Sequence, residues 1–255
     1  MGLLDFFSKG PLSEKKIAKI AKLACNPFAQ PDIRMREMHR LLEDGSDLAY
    51  RGLLKRFSSN ASGAIADEDE KKFLEDAVVD VGEPIVVPLK DYIRMEKQLS
   101  YALRALKRIL GTQEAVPYFL EVLHKHGTES YRSTDAKLQL VWQLAEDLYE
   151  EGVFSSLVPF LQDHSDDVRW AVMDLLERVV DEKDISWAGV EESQRLLGEL
   201  ITVEEASPRI LQRACKILHE REWAIPQDAD SLVPDLAESY FLDKKRFVRK
   251  RAQRA

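Results

Sequence analysis

Five histidines are the first residues to test for chemistry, at positions 39, 124, 126, 164 and 219. A shared metal needs two imidazoles on one side of a helix. His124 and His126 diverge by about 200° at 3.6 residues per turn, so they are read as solvated surface. His219-Glu220 is the one His-Glu pair. Cys25 and Cys215 lie far apart with no CxxC spacing, each in an apolar helical stretch, and are expected to be small buried hydrophobes. Two cysteines in 255 residues suit a reducing cytosol better than a disulfide-built secreted protein. No two of the 11 glycines stand two residues apart, which excludes GxGxxG, and the Walker A and GxSxG patterns are absent. Trp142 and Trp170 occupy or adjoin apolar stripes and are expected in the core. These residues point to a protein that is not an enzyme and needs no metal and no cofactor.

The elements that would position any site are helices. Apolar residues recur at i, i+3, i+4, i+7 in Leu74, Ala77, Val78, Val81, in Leu99, Ala102, Leu103, Leu106, in Leu138, Val141, Trp142, Ala145, and in Val168, Ala171, Val172, Leu175. Ile210, Ala214, Ile217 and Leu218 form a weaker copy. Each is one stripe that must be buried against another element. Between them runs a second series marked by Val87-Pro88, Val116-Pro117, Val158-Pro159 and Val233-Pro234. Proline is tolerated in a first helical turn, where its missing N–H has no partner, so each pair is expected at the head of a helix. Ser46, Thr134 and Ser165 stand where N-caps belong, and Gly82, Gly111, Gly127 and Gly152 follow helical patterns. The run 83–89 is rich in β-branched residues, but Pro84 and Pro88 favour a helix there. Residues 58–70 read as a mobile loop, and 128–135 as a shorter irregularity.

Composition agrees with this reading. The chain is 45% apolar and 32% charged, enough for a sizeable core, with too few glycines for a turn-rich β fold. No apolar run approaches a membrane span. The opening Met-Gly-Leu-Leu-Asp-Phe-Phe lacks the features of a signal peptide, and Phe6 breaks the myristoylation pattern. Leu3, Leu4, Phe6 and Phe7 are expected to fold back onto the first helices.

Paired helices at a period of roughly 30–45 residues mean an α-solenoid. The stretch from Ser156 to Val172 (SLVPFLQDHSDDVRWAV) resembles a HEAT repeat. Pro159 matches the proline of the family's helix A, and Asp167, Val168 and Arg169 match the opening of helix B. Ser231-Leu-Val-Pro-Asp-Leu236 resembles another helix A, and Asp32-Ile-Arg34 a worn helix B start. The resemblance implies an all-α chain without a sheet, a right-handed solenoid of about five to six degenerate helix pairs. It divides into an N-terminal segment and capping helix over 1–31 and a repeat array over 32–255. Asp243 would open a last helix B, making 244–255 a basic capping helix with Phe247, Val248 and Ala252 as its stripe. HEAT-repeat iron hydroxylases need several His-Glu pairs, which this chain lacks. HEAT-like DNA glycosylases, which need aromatics and a carboxylate on a concave face, are the least favoured reading.

Charge supplies the functional lead. The net charge is −8, yet the last twelve residues hold seven of the 37 Lys/Arg and no acid, leaving 30 against 45 acids elsewhere, or −15. Lys97, Arg104, Lys107 and Arg108 fall opposite one buried stripe, and Arg209, Arg213 and Lys216 opposite another. With Arg169 they are the candidate partner-binding residues. The helical stretches between them are net acidic, whereas a nucleic-acid groove is expected to be basic along its length. The resemblance and this pattern imply a cytoplasmic scaffold or adaptor that holds another protein on its concave helix B face. The alternative is binding of nucleic acid or an anionic surface through Lys244, Lys245, Arg246, Arg249, Lys250, Arg251 and Arg254.

Overall fold

The computed structural model describes residues 12–178, 187–202, 206–226, 232–236 and 238–251. Arg254 and the first eleven residues, including the Leu3 to Phe7 group, lie outside them. The described chain is mostly helical, and it divides into two compact units, Met1–Ala115 and Val116–Ala255.

Unit 1 holds α1 (Glu14–Ala24), α2 (Pro31–Asp44), α3 (Asp47–Leu54), α4 (Ala64–Val81), α5 (Val86–Met95) and α6 (Ser100–Leu110). Helices α1, α3 and α5 pack in succession, and so do α2, α4 and α6. The two rows meet through α1 on α2, α2 on α3 and α5 on α6. The expected stripes supply the contact: Leu74 and Val78 of α4, Leu89 and Ile93 of α5, and Ala102, Leu103 and Leu106 of α6 are fully buried. Each Leu or Ile so removed from water contributes about 1.5–3 kcal/mol. Local chemistry sets the ends. The Ser46 hydroxyl accepts the Ala49 N–H at 3.3 Å to cap α3, and Gly111 ends α6 at a φ of +77° that side chains disfavour.

Helix α7 (Thr112–His126) contains the division between the units. Unit 2 continues with α8 (Thr134–Leu144), α9 (Val153–Leu157), α10 (Asp166–Arg178), α11 (Trp187–Leu200) and α12 (Pro208–Glu220). A 3₁₀ segment, Val158–Gln162, prolongs α9. Helices α8, α10 and α12 pack in succession, and α11 lies on α9 with its 3₁₀ extension.

Four expectations are corrected. First, the chain is not without a sheet: β1 (Tyr240–Leu242) pairs antiparallel with β2 (Val248–Lys250), so residues 244–250 are no capping helix. Asp243 starts a turn rather than a helix. Its carboxylate accepts the N–H groups of Lys245 at 2.8 Å and Phe247 at 3.0 Å, drawing the backbone away from helical bonding. The Arg246 N–H closes the turn on the Asp243 carbonyl at 2.9 Å, with Arg246 itself at a φ of +67°. The strands that the turn joins carry Tyr240, Phe241 and Val248, residue types that favour a pleated, half-buried surface.

Second, α4 begins at Ala64, inside the stretch expected to be a loop. Its acidic run is not a solvated patch. Glu70 accepts a bidentate pair from Arg34 of α2 at 2.6 and 2.8 Å and a further bond from Arg56 at 2.8 Å. Arg56 also bonds Asp67 at 2.7 Å, and Asp67 bonds Lys71 at 2.7 Å. Arg34, Arg56, Glu70 and Lys71 are all buried. Burial alone would raise the Glu70 and Asp67 pKa values, but the cations around them hold both below the ordinary carboxylate range.

Third, Val116-Pro117 sits in the interior of α7, and Val158-Pro159 marks the change from α9 to its 3₁₀ extension. Only Val87-Pro88 and Val233-Pro234 stand in first turns, of α5 and of a 3₁₀ turn at Pro234–Leu236. The missing proline N–H is absorbed by a tighter hydrogen-bonding pattern at Pro159.

Fourth, the buried stripe of α8 is Ala136, Lys137, Leu140, Val141 and Leu144, about one residue out of phase with the expected one. Lys137 points inward and meets Asp163 at 2.5 Å, both fully buried. A lysine turned inward rotates the helix, and Trp142 is 57% exposed as a result.

Glu70 is therefore the group whose loss should cost unit 1 most. Glu70→Ala leaves two guanidinium groups buried without their acceptor and is expected to destabilise by about 3–5 kcal/mol. Because the folded pKa values of Glu70 and Asp67 are lowered, their stabilisation is complete above the ordinary carboxylate range. It is lost as pH falls below about 4. Chemical denaturation at several pH values should show this acid loss in the wild type, and a smaller one in Glu70→Gln.

Candidate functional site

The candidate partner-binding residues lie on or beside α6, α10 and α12, and the structure shows what each cation touches. Lys97 is exposed in the connection before α6 rather than on the helix. Arg104 reaches back to Glu75 of α4 at 2.7 Å, and Arg108 to Asp76 of α4 at 2.7 Å. Arg104 also stacks over Tyr101 at 4.7 Å. The Tyr101 phenol is raised to about 12, first by burial and then by its bond to Glu68, another α4 residue. Lys107 is half-buried between these two arginines in sequence.

Unit 2 repeats the device. Arg209 meets Asp167 at 2.6 Å, Arg213 meets Asp174 and, at 2.5 Å, Glu177, and Lys216 meets Glu177 at 3.1 Å. Asp167, Trp170, Asp174 and Glu177 form the outer face of α10, opposite its buried Val168, Ala171, Val172 and Leu175. Arg213 is buried, its guanidinium 3.9 Å from the centre of the Trp170 ring, with Arg209 at 5.7 Å. Burial would raise the Glu177 pKa, but Arg213 and Lys216 hold it below its ordinary value.

Arg169 turns back toward the start of α10: its Nε donates to the Asp163 carbonyl, and it lies 3.5 Å from Asp166. Arg34 likewise donates to the carbonyl of Ala29, before α2. Arg34 and Arg169 thus both fasten the turn that precedes their helix.

Sequence reasoning placed cations on helix faces but missed the acids that meet them. A usable signal was present. Arg104 and Glu75 are 29 residues apart, Arg209 and Asp167 are 42, and Lys216 and Glu177 are 39, each pair joining a helix to the one two elements before it. Sliding the sequence by about 30 to 40 residues lays basic positions over acidic ones.

The aromatics emerge differently from the expectation. Trp142 stands on the outer face of α8, and Trp170, 37% exposed, on that of α10. Tyr149, after α8, is also exposed. Between Thr134 and Glu151 the one cation is the buried Lys137, so the α8 face combines aromatics with Asp135 and Glu150.

Of the basic C-terminal residues, Lys244, Lys245, Lys250 and Arg251 are exposed on the hairpin, whereas Arg246 and Arg249 are half-buried. Arg249 is held by Asp243 at 3.1 Å and Glu222 at 3.5 Å.

Two concavities accompany these faces. In unit 1 a groove of about 590 Å³ runs between α1 and α3, with Ile17, Ala21, Cys25 and Gly52 along it. In unit 2 a cleft of about 430 Å³ lies beside His164, which pairs with Glu129 at 2.6 Å and stacks on Tyr131 at 4.2 Å. Burial pushes the Cys215 thiol up to about 12 and raises that of Cys25, which keeps both as unreactive thiols. Among the described residues no group of three or more His, Cys, Asp or Glu is arranged to hold a metal, and no helix is long and apolar enough to cross a membrane. Comparison with known proteins finds no matching family model and no matching curated protein.

Arg213 is the rung of the α10–α12 pairing with most to lose. Arg213→Ala removes two charged hydrogen-bonding partners and the cover of Trp170, and is expected to cost about 1.5–3 kcal/mol. Lys216→Ala, at an exposed rung, should leave the unfolding midpoint almost unchanged. Equal midpoint shifts for the two variants in a denaturant titration would show that the pairing does not hold the helices.

Proposed function

We propose that this chain is a cytoplasmic HEAT-like helical-repeat scaffold, without catalytic activity, that binds another protein on the face formed by its even-numbered helices. In this reading the odd-numbered helices are the A members and the even-numbered ones the B members of six successive pairs in a right-handed solenoid. The observation that carries the proposal is the pairing of Trp142 and Trp170 exposure with a fixed base: α10 is tied to α12 by ion pairs as α4 is to α6, Lys137 of α8 is held by Asp163, and the large aromatics stand outside. Exposed tryptophans on a preformed surface are the residues that most often dominate protein interfaces.

The charge pattern supports a protein ligand over a long polyanion. Arg104, Arg108, Arg209, Arg213 and Lys216 are each engaged by a carboxylate of the preceding even-numbered helix. A groove for duplex nucleic acid needs its cations directed at successive phosphates. A face of paired charges around tryptophans instead offers a partner its aromatic area and a fixed pattern of both signs.

The test is affinity capture from native extract with the full chain and with Trp142→Ala, alone and combined with Trp170→Ala. Circular dichroism should show both variants folded. Loss of one anchoring tryptophan is expected to weaken a captured partner by about 30-fold or more, as a 2 kcal/mol interface residue would. Undiminished capture by the folded double variant would reject this face as the binding surface.

A further inference from the structure

The basic C-terminal run folds into a hairpin whose two sides differ. On the inner side Val248 is fully buried, and β2 packs against α12, where His219 meets the Val248 carbonyl at 3.1 Å. Phe241 and Arg249 are cross-strand partners and therefore share the outer side. Phe247 and Arg251 lie two residues to either side of Arg249 and project with it. Arg249 stacks over Phe247 at 5.1 Å and Arg251 over Phe241 at 5.4 Å. Phe241 is 38% exposed. The Arg249 charge is answered by Asp243 and Glu222, but Lys244 and Lys245 at the turn and Lys250 on β2 are exposed. None of these three lysines forms a salt bridge with a described carboxylate, and Lys250, two residues from Val248, belongs to the other side of the hairpin from Phe241.

We propose that this hairpin binds single-stranded nucleic acid, with a base stacked on Phe241 beside Arg251 and phosphates neutralised by Lys244 and Lys245 at the turn. The site goes beyond the protein-binding reading above and does not depend on it. Three features select this ligand. An aromatic ring on a basic strand accepts any base, because every base offers a π-face, and bases within a duplex keep that face covered. Lysines at the turn, beside the aromatic ring, suit a flexible backbone that bends around a small hairpin. A lipid surface would need a broad apolar area to insert. Here the inner apolar side is already used against α12, and Phe241 is the one large hydrophobic residue of the strands left exposed.

The experiment is fluorescence anisotropy of the full chain with a labelled oligo-dT or oligo-U of about 15 nucleotides, long enough to span the hairpin. Saturable binding is expected, weakening about 7-fold between about 50 and 200 mM salt, as two phosphate contacts on a single strand require. Replacing Lys244 and Lys245 by Gln should weaken binding about five-fold or more and flatten the salt dependence. Phe241→Leu should weaken it about five-fold or more with the salt slope unchanged, while Phe241→Tyr, which keeps the ring, should bind as the wild type does. Matching thermal melts would show the variants folded. The proposal is overturned if the wild type does not bind at low salt, or if the lysine variant binds undiminished. It is equally overturned if Phe241→Leu has no effect, if duplex DNA of equal length binds as tightly, or if polyglutamate competes as well as the oligonucleotide. Capture by phosphatidylserine vesicles without oligonucleotide binding would assign the hairpin to a membrane surface instead.

Discussion

Glu70 accepts four hydrogen bonds from two arginines that come from different elements, and the packing of α2 on α4 depends on that arrangement. A buried guanidinium is tolerable only when its donors are met, so α2, the 3₁₀ turn at Lys55–Ser58 and α4 must keep one mutual placement. Apolar stripes alone would allow those helices to slide past one another. The charges remove that freedom, because a shifted register would leave arginine buried without its acceptor. Lys137 and Asp163 apply the same constraint in unit 2, where they fasten α8 to the turn before α10.

Outside these buried junctions, charge acts between neighbouring helices on the exposed side. Acids on α4 and α10 meet cations on α6 and α12, with Arg104 over Tyr101 and Arg213 over Trp170. The hairpin lysines have no such role in holding elements together. Two kinds of positive charge thus coexist: one tied into helix packing, the other presented at a turn.

Much of this was legible in the residues. The i, i+3, i+4, i+7 spacing located α4, α6, α10 and α12, and Gly82, Gly111, Gly127 and Gly152 all fall at positive φ beside helix ends. The phase of α8 was not legible, because a period-3.6 reading assigns every lysine to solvent and Lys137 goes inward. Nor was α4's start, since Asp67 to Glu70 look like a solvated acidic run until Arg34 and Arg56 are brought to them. The C-terminal hairpin was misread as a helix because Phe247 and Val248 fit a thin stripe as well as they fit an alternating strand.

The sequence by itself determined that the chain is mostly helical, which stripes of α4, α6, α10 and α12 are apolar, and that glycines stand beside helix ends. Those properties depend on residues within about four positions of one another, where propensity, capping and periodicity act. Only the tertiary structure decided which charges are buried, which are paired and which remain presented to a ligand. Those outcomes depend on contacts such as Arg56 with Asp67 and Arg209 with Asp167, 11 to 42 positions apart, whose energies follow from burial and distance rather than from local pattern.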